Sequence, residues 1–73
     1  MENKVHGRLQ ELRKEKGWSQ SDTAEKSGVK LSTIQKLESG FNNIFKARFH
    51  TLYALAQALE VSVEYLVGVS DKR

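Results

Sequence analysis

Residues 20–39, QSDTAEKSGVKLSTIQKLES, indicate two short helices joined by a tight turn. Ala24 is a small residue midway along the first helix, and Gly28 lies at the turn, where glycine adopts a positive φ at little cost. The second helix has apolar residues at spacings that bury one face: Val29, Ile34 and Leu37. Its remaining residues are mostly polar or basic: Lys30, Leu31, Ser32, Thr33, Gln35 and Lys36. A helix pair that presents such a face fits the major groove of duplex DNA.

Length and composition predict one small domain, residues 1–73, with a folded core over about 4–68 and a frayed tail at 69–73. A chain of this size buries only about 60% of its unfolded surface, which leaves no room for a deep catalytic cavity. Cysteine is absent, so disulfides and thiolate metal sites are excluded. No segment has the apolar length of a membrane span or a signal peptide. We therefore expect a cytoplasmic protein that is not an enzyme and needs no cofactor.

The positive charge of the chain is concentrated in one segment. The net charge is +3, and residues 30–48 alone carry four basic residues against one acid, which accounts for the whole excess. Phosphate binding needs such a local basic surface. Chance clustering in a short chain is the alternative interpretation.

Apolar periodicity and capping residues predict an all-α fold with five helices. Four of them cover about 3–16, 19–27, 30–39 and 47–59, and a short fifth helix is capped by Ser62 and ended by Gly68. Ser19 and Asp22 form a capping box at the start of the second helix. The segment FNNIF, residues 41–45, is predicted to be a loop.

The sequence from residue 5 to residue 68 resembles the Cro/cI-type (Xre-like) helix-turn-helix family of bacterial and phage regulators. The resemblance is carried by SQSDTAEKSGVKLSTIQKLESG and by TLYALAQALEVSVEYLVG. It implies a compact five-helix, lambda-repressor-like domain with the helix-turn-helix at its second and third helices. It also implies a transcriptional repressor that binds double-stranded DNA as a homodimer on a palindromic operator.

The resemblance assigns roles to individual residues. The implied contacts to DNA bases are made by Leu31, Ser32, Gln35 and Lys36. The implied contacts to the DNA backbone are made by Gln20, Lys30, Thr33, Lys46 and Arg48. A partly buried ion pair joins Arg13 to Glu38, and the implied dimer surface consists of Glu60, Val63, Tyr65 and Val67. Core burial is the alternative for Tyr65 and Val67, and we expect at least one of these two to lie in the dimer surface.

Four features depart from the family pattern. Thr23 occupies a position where leucine is usual, and Glu60 one where glycine or asparagine often ends a helix. Leu31 is apolar among polar neighbours, which fits either contact with a thymine methyl or packing at the helix end. The 41–45 loop is longer and more apolar than usual, which suggests either an additional packing role or contact with a protein partner.

Other functional interpretations have weaker support. His6 and His50 are far apart without a third ligand, so we expect surface histidines and no metal site. The serine and threonine hydroxyls have no histidine and acid arranged to activate a nucleophile. Helix capping and DNA contact are therefore better roles for these side chains than catalysis. The apolar stripe of the fourth helix is expected to be core and not a partner groove: Phe49, Leu52, Tyr53, Leu55 and Ala56.

A second function remains open. A protein-interaction module of the antitoxin or anti-regulator kind could use this fold without specific DNA binding, and the 41–45 loop and Leu31 motivate that alternative. The basic and amide side chains on the outer face of the third helix favour DNA: Lys30, Gln35 and Lys36.

Overall fold

The computed structural model describes residues 7–40 and 43–73. Within these ranges the chain forms six helices: α1 (Leu9–Glu15), α2 (Gln20–Ser27), α3 (Leu31–Ser39), α4 (Asn43–Lys46), α5 (Phe49–Leu59) and α6 (Val63–Val67). The predicted all-α fold is confirmed. The predicted number of five helices is wrong, because a single turn, α4, occupies part of the expected 41–45 loop.

Several helices begin later than predicted: Gly7 and Arg8 precede α1, which begins at Leu9, and α3 and α5 begin one and two residues late. Lys30 and Arg48 have extended conformations and serve as the N-caps of α3 and α5. The predicted helices, 30–39 and 47–59, had instead included both residues. Residues 3–6 of the predicted first helix lie outside the described residues, as do His6, Phe41 and Asn42.

Local interactions fix the helix-turn-helix. Ser19 Oγ accepts the Asp22 backbone N–H at 2.9 Å, and the Asp22 carboxylate accepts the Ser19 backbone N–H at 3.0 Å, so the capping box is complete. The hydrogen bond from the Ser19 backbone N–H to the carboxylate is the main reason that the pKa of Asp22 lies below its ordinary value. Gly28 ends α2 with φ 77°, a left-handed conformation that side chains with a Cβ adopt only at a cost. The sharp turn then directs α3 across α2.

The core is built from residues of α1, α3, α4, α5 and α6. Its buried apolar residues are Leu9, Leu12, Ile34, Leu37, Ile44, Leu52, Leu55, Ala56, Leu59, Leu66 and Val67. Ala24 and Val29 pack against this cluster from the helix-turn-helix. Burial of Ile34 and Leu37 fixes which face of α3 points outward.

Thr23 is fully buried in α2, where the sequence suggested a weak apolar contact. Its hydroxyl donates to the Ser19 carbonyl at 2.9 Å, so the polar atom is satisfied inside its own helix. The methyl group remains available for packing. The hydroxyl therefore does not carry the cost of an unpaired buried donor.

The predicted stripe of core residues on α5 is wrong at two positions. Leu52, Leu55 and Ala56 are buried as expected. Phe49 is 67% exposed and Tyr53 is 48% exposed. Both lie on a different side of α5, because residues four apart share a helix face and Leu52, Leu55 and Ala56 occupy the neighbouring one.

The chain's last residues contact the rest of the domain, in contrast to the predicted frayed tail at 69–73. Arg8 donates from Nη1 to the carbonyls of Tyr65 at 2.6 Å and Ser70 at 2.7 Å. The Ser62 N–H donates to the Arg73 carbonyl at 2.7 Å, and the Arg73 guanidinium forms an ion pair with Glu15. We call these contacts the terminal clasp.

None of the helices in the described ranges is long and apolar enough to span a membrane.

Candidate nucleic-acid interface

The outward face of α3 is the centre of the candidate interface. Leu31, Ser32, Gln35 and Lys36 are all exposed, as is Lys30 at the N-cap, whereas Thr33 is half-buried. The structure therefore brings the predicted base-contacting residues onto one accessible face.

Two shallow grooves lie between α3 and the start of α5. One is lined by Thr33, Lys36, Leu37, Lys46, Ala47, Arg48 and Thr51. The other is lined by Gly28, Val29, Lys30, Thr33, Arg48, His50, Thr51 and Ala54. Predicted backbone contacts from two separate segments of the chain, Thr33 and Arg48, thus border the same grooves.

The charges around these grooves favour an anionic partner. Lys46 and Arg48 are exposed, and the first turn of α5 contains no acidic residue. The positive end of the α5 helix dipole adds to the attraction, since free backbone N–H groups there favour anions. Two of the lining residues, His50 and Thr51, were not assigned a DNA-facing role from the sequence; their position in the first turn of α5 was the available signal.

An ion pair holds α3 against α1. The expected pair of Arg13 and Glu38 is present: Arg13 Nε lies 2.7 Å from Glu38 Oε2, and Nη2 lies 3.0 Å from Oε1. The two side chains are only 11% and 4% exposed. The hydrogen bonds to Glu38 raise the pKa of Arg13, so the guanidinium remains charged at neutral pH.

Gln20, the expected phosphate contact, takes part in this network. Its amide Nε2 donates to Glu38 Oε1 at 3.0 Å, and the side chain is half-buried. The amide is therefore fixed at the junction of α2 and α3. Sequence reasoning treated Gln20 and the ion pair as separate features, since nothing in the spacing of residues 13, 20 and 38 links them.

The four expected dimer residues have different environments. Val67 is 8% exposed within the single chain, so its assignment to a dimer surface does not fit the structure. Tyr65 is half-buried, and the guanidinium groups of Arg8 and Arg73 lie 4.0 and 5.2 Å from its ring centroid. Val63 is half-buried, and the exposed Glu60 lies 3.3 Å from Lys16 Nζ.

Comparison with known proteins agrees with this geometry. The model of the helix-turn-helix family matches residues 9–66, which cover most of the chain and all of α1, α2 and α3. The chain belongs to the Cro/cI-type helix-turn-helix family. Members of this family are DNA-binding regulators, and α3 occupies the position of the second helix of the motif.

Two relatives from different bacteria show the range of the family. The chain is 36% identical over 52 residues to Antitoxin HipB of Escherichia coli K12, covering 71% of this chain and 56% of HipB. It is 35% identical over 65 residues to the HTH-type transcriptional regulator SinR of Bacillus licheniformis, covering 89% of this chain and 57% of SinR. The chain thus spans about half the length of the curated relatives it matches. No solved structure shows a significant match.

Proposed function

We propose that this protein binds a specific duplex DNA site through α3 and represses transcription there as a homodimer on a palindromic operator. The observation that carries the proposal is the division of α3 into two faces. Ile34 and Leu37 are buried, and the exposed side chains between and around them are polar, basic or small enough to enter a major groove.

Base reading is assigned to Leu31, Ser32, Gln35 and Lys36. An exposed glutamine can pair bidentately with adenine, and a lysine can donate to guanine O6 and N7. Leu31 is exposed at the first position of α3, which supports contact with a thymine methyl over burial in the core.

Backbone contacts are assigned to Gln20, Lys30, Thr33, Lys46 and Arg48. Four of these residues border the grooves between α3 and α5, and Gln20 lies at the start of α2. Phosphate contacts hold a recognition helix in register but carry no sequence information. A DNA-binding role also places the protein in the bacterial cytoplasm, and the proposal gives it no catalytic role.

The test is selection of bound duplexes from a random pool at near-physiological salt, followed by titration of the enriched site. A palindromic consensus with half-sites about one helical turn, ~34 Å, apart is expected for a homodimer. If the selection enriches no DNA sequence, the proposal is refuted.

Variants then separate the two kinds of contact. Gln35→Ala and Lys36→Ala are each expected to cost about 1–3 kcal/mol on the selected site and to relax specificity at one base pair. Lys46→Ala should weaken binding to all duplexes alike and lower the slope of log affinity against log salt by about 1. Lys14→Ala, an exposed change on α1 of equal charge, is the control. Equal losses on specific and random duplexes would contradict the base-reading role of Gln35 and Lys36.

A protein-interaction module that does not bind DNA specifically is the second candidate. The antitoxin among the relatives and the exposed Phe45 on α4 favour it. The 41–45 segment supports it less than its composition suggested, since Ile44 is buried in the core.

A further inference from the structure

His50 lies in the first turn of α5, and its side chain is exposed. It lines one of the two grooves between α3 and α5, together with Lys30, Thr33 and Arg48, which are proposed contacts to the DNA backbone. Ala54, one turn further along α5, lines the same groove. The imidazole therefore borders the space where the proposed function requires DNA phosphates.

The described ionisable groups that surround His50 in these grooves are all cationic. Lys30 and Arg48, the N-caps of α3 and α5, border the same groove from separate segments, and the turn between α2 and α3 adds no ionisable side chain. The neighbouring groove adds Lys36 and Lys46. No carboxylate occurs among the described lining residues, and residues 39–59 contain no aspartate or glutamate. A protonated imidazole therefore finds no carboxylate partner among these residues.

A bound duplex would supply the missing counter-charge. DNA phosphates are anionic, and a hydrogen bond between two charged groups is stronger than one between neutral groups. Histidine changes its charge near pH 6.5, at about the acidity where small changes of environment decide its protonation. A phosphate beside His50 would therefore couple DNA binding to proton uptake.

We propose that His50 contacts a phosphate of the duplex and that this contact forms fully only when the imidazole is protonated. The inference rests on the proposed function and adds to it a contact residue and a dependence on pH. A metal site is a poorer role for His50, because the described residues contain no group of three or more potential ligands that could hold an ion.

The experiment measures affinity for a random-sequence duplex by fluorescence anisotropy at pH 7.5 and pH 5.5, at fixed ionic strength. Circular dichroism at both pH values checks that the helices persist. The unchanged chain should bind about fivefold more tightly per subunit at the lower pH, because a histidine is largely converted to its charged form across this interval. The slope of log affinity against log salt should steepen by about 0.9 per subunit, the value for one further phosphate contact.

Three variants assign the effect to one side chain. His50→Gln stays polar but cannot be protonated, so it should lose both the gain in affinity and the change in slope. His50→Lys is charged at both pH values, so its affinity should not change between them. His6→Gln, which alters the other histidine of the chain, is the matched control and should keep the full gain. The gain should be the same on the selected and the random duplex, because phosphate contacts carry no sequence information.

The inference is overturned if the unchanged chain binds the duplex equally well at the two pH values. It is also overturned if the gain persists in His50→Gln or disappears in His6→Gln, since the proton would then belong to another group. A gain confined to the selected duplex would assign His50 to a base and not to a phosphate. If the unchanged chain binds no duplex at either pH, the proposed function fails as well, whereas duplex binding without a pH dependence overturns this inference alone.

Discussion

Replacing Glu38 by alanine should destabilise the domain severely. Glu38 accepts two hydrogen bonds from Arg13 and one from Gln20, at 2.7, 3.0 and 3.0 Å. Its removal leaves a guanidinium that is only 11% exposed without its counter-ion. Breaking such a pair from one side costs about 3–5 kcal/mol, because the remaining charge stays desolvated.

That loss is large relative to the stability of the whole domain. At about 0.05–0.15 kcal/mol per residue, a chain of this length has roughly 4–11 kcal/mol of unfolding free energy. Urea denaturation followed by circular dichroism measures the change directly. Glu25→Ala, an exposed change on α2, should alter stability by less than about 0.5 kcal/mol and serves as the control.

A double variant separates the pair from its surroundings. Arg13→Met/Glu38→Leu removes both charges, so it should lose less than the sum of Arg13→Met and Glu38→Leu alone. A loss below about 1 kcal/mol for Glu38→Ala, or strict additivity in the double variant, would refute the argument that desolvation sets the cost.

Three further predictions follow from other parts of the fold. Glu60 ends α5 with φ 63°, a left-handed conformation that is strained for a residue with a Cβ, so Glu60→Gly should raise the unfolding free energy by about 1 kcal/mol. The control, Glu60→Gln, removes only the exposed contact to Lys16 and should give no such gain. If urea denaturation shows no gain for the glycine variant, the backbone strain at Glu60 is contradicted. The lowered pKa of Asp22 gives stability that is present above its ordinary value of 3.8 and is lost as the pH falls through its lower folded value. Asp22→Asn should therefore flatten the decline of stability in acid, and an unchanged pH profile would count against it. Arg8→Ala should lower the unfolding free energy by about 1.5–3 kcal/mol, because the side chain's hydrogen bonds to backbone carbonyls are lost. The same change should speed hydrogen exchange at the Ser62 amide. If that amide stays protected in the variant, the terminal clasp does not depend on Arg8.

Local signals made much of the fold predictable. The capping box at Ser19, the turn at Gly28 and the periodic spacing of Ile34 and Leu37 each depend on residues close in sequence, and each is present in the structure. The Arg13–Glu38 pair came from family resemblance, since nothing local joins residues 25 positions apart.

The errors involve contacts that periodicity does not encode. A helical stripe of apolar residues shows which positions share a face but not how wide the buried face is, so Phe49 and Tyr53 were assigned to the core. The tail at 69–73 was expected to fray because the last residues of a domain are usually poorly ordered, whereas Arg8 and Ser62 donate hydrogen bonds to its backbone carbonyls from distant positions. Val67 faces the core because α6 packs on α5, a tertiary arrangement that the short apolar run did not specify.

The terminal clasp has a consequence for the order of folding. Arg8 and its partners at Tyr65, Ser70 and Asp71 are 57–63 residues apart in sequence. Closing a loop of that length costs more entropy than pairing α2 with α3, which are joined by a short turn. The helix-turn-helix and its packing on α5 should therefore form in the transition state, and the clasp after it. Arg8→Ala should then accelerate unfolding while leaving the folding rate almost unchanged, so the two ends of the chain govern how long the folded domain survives.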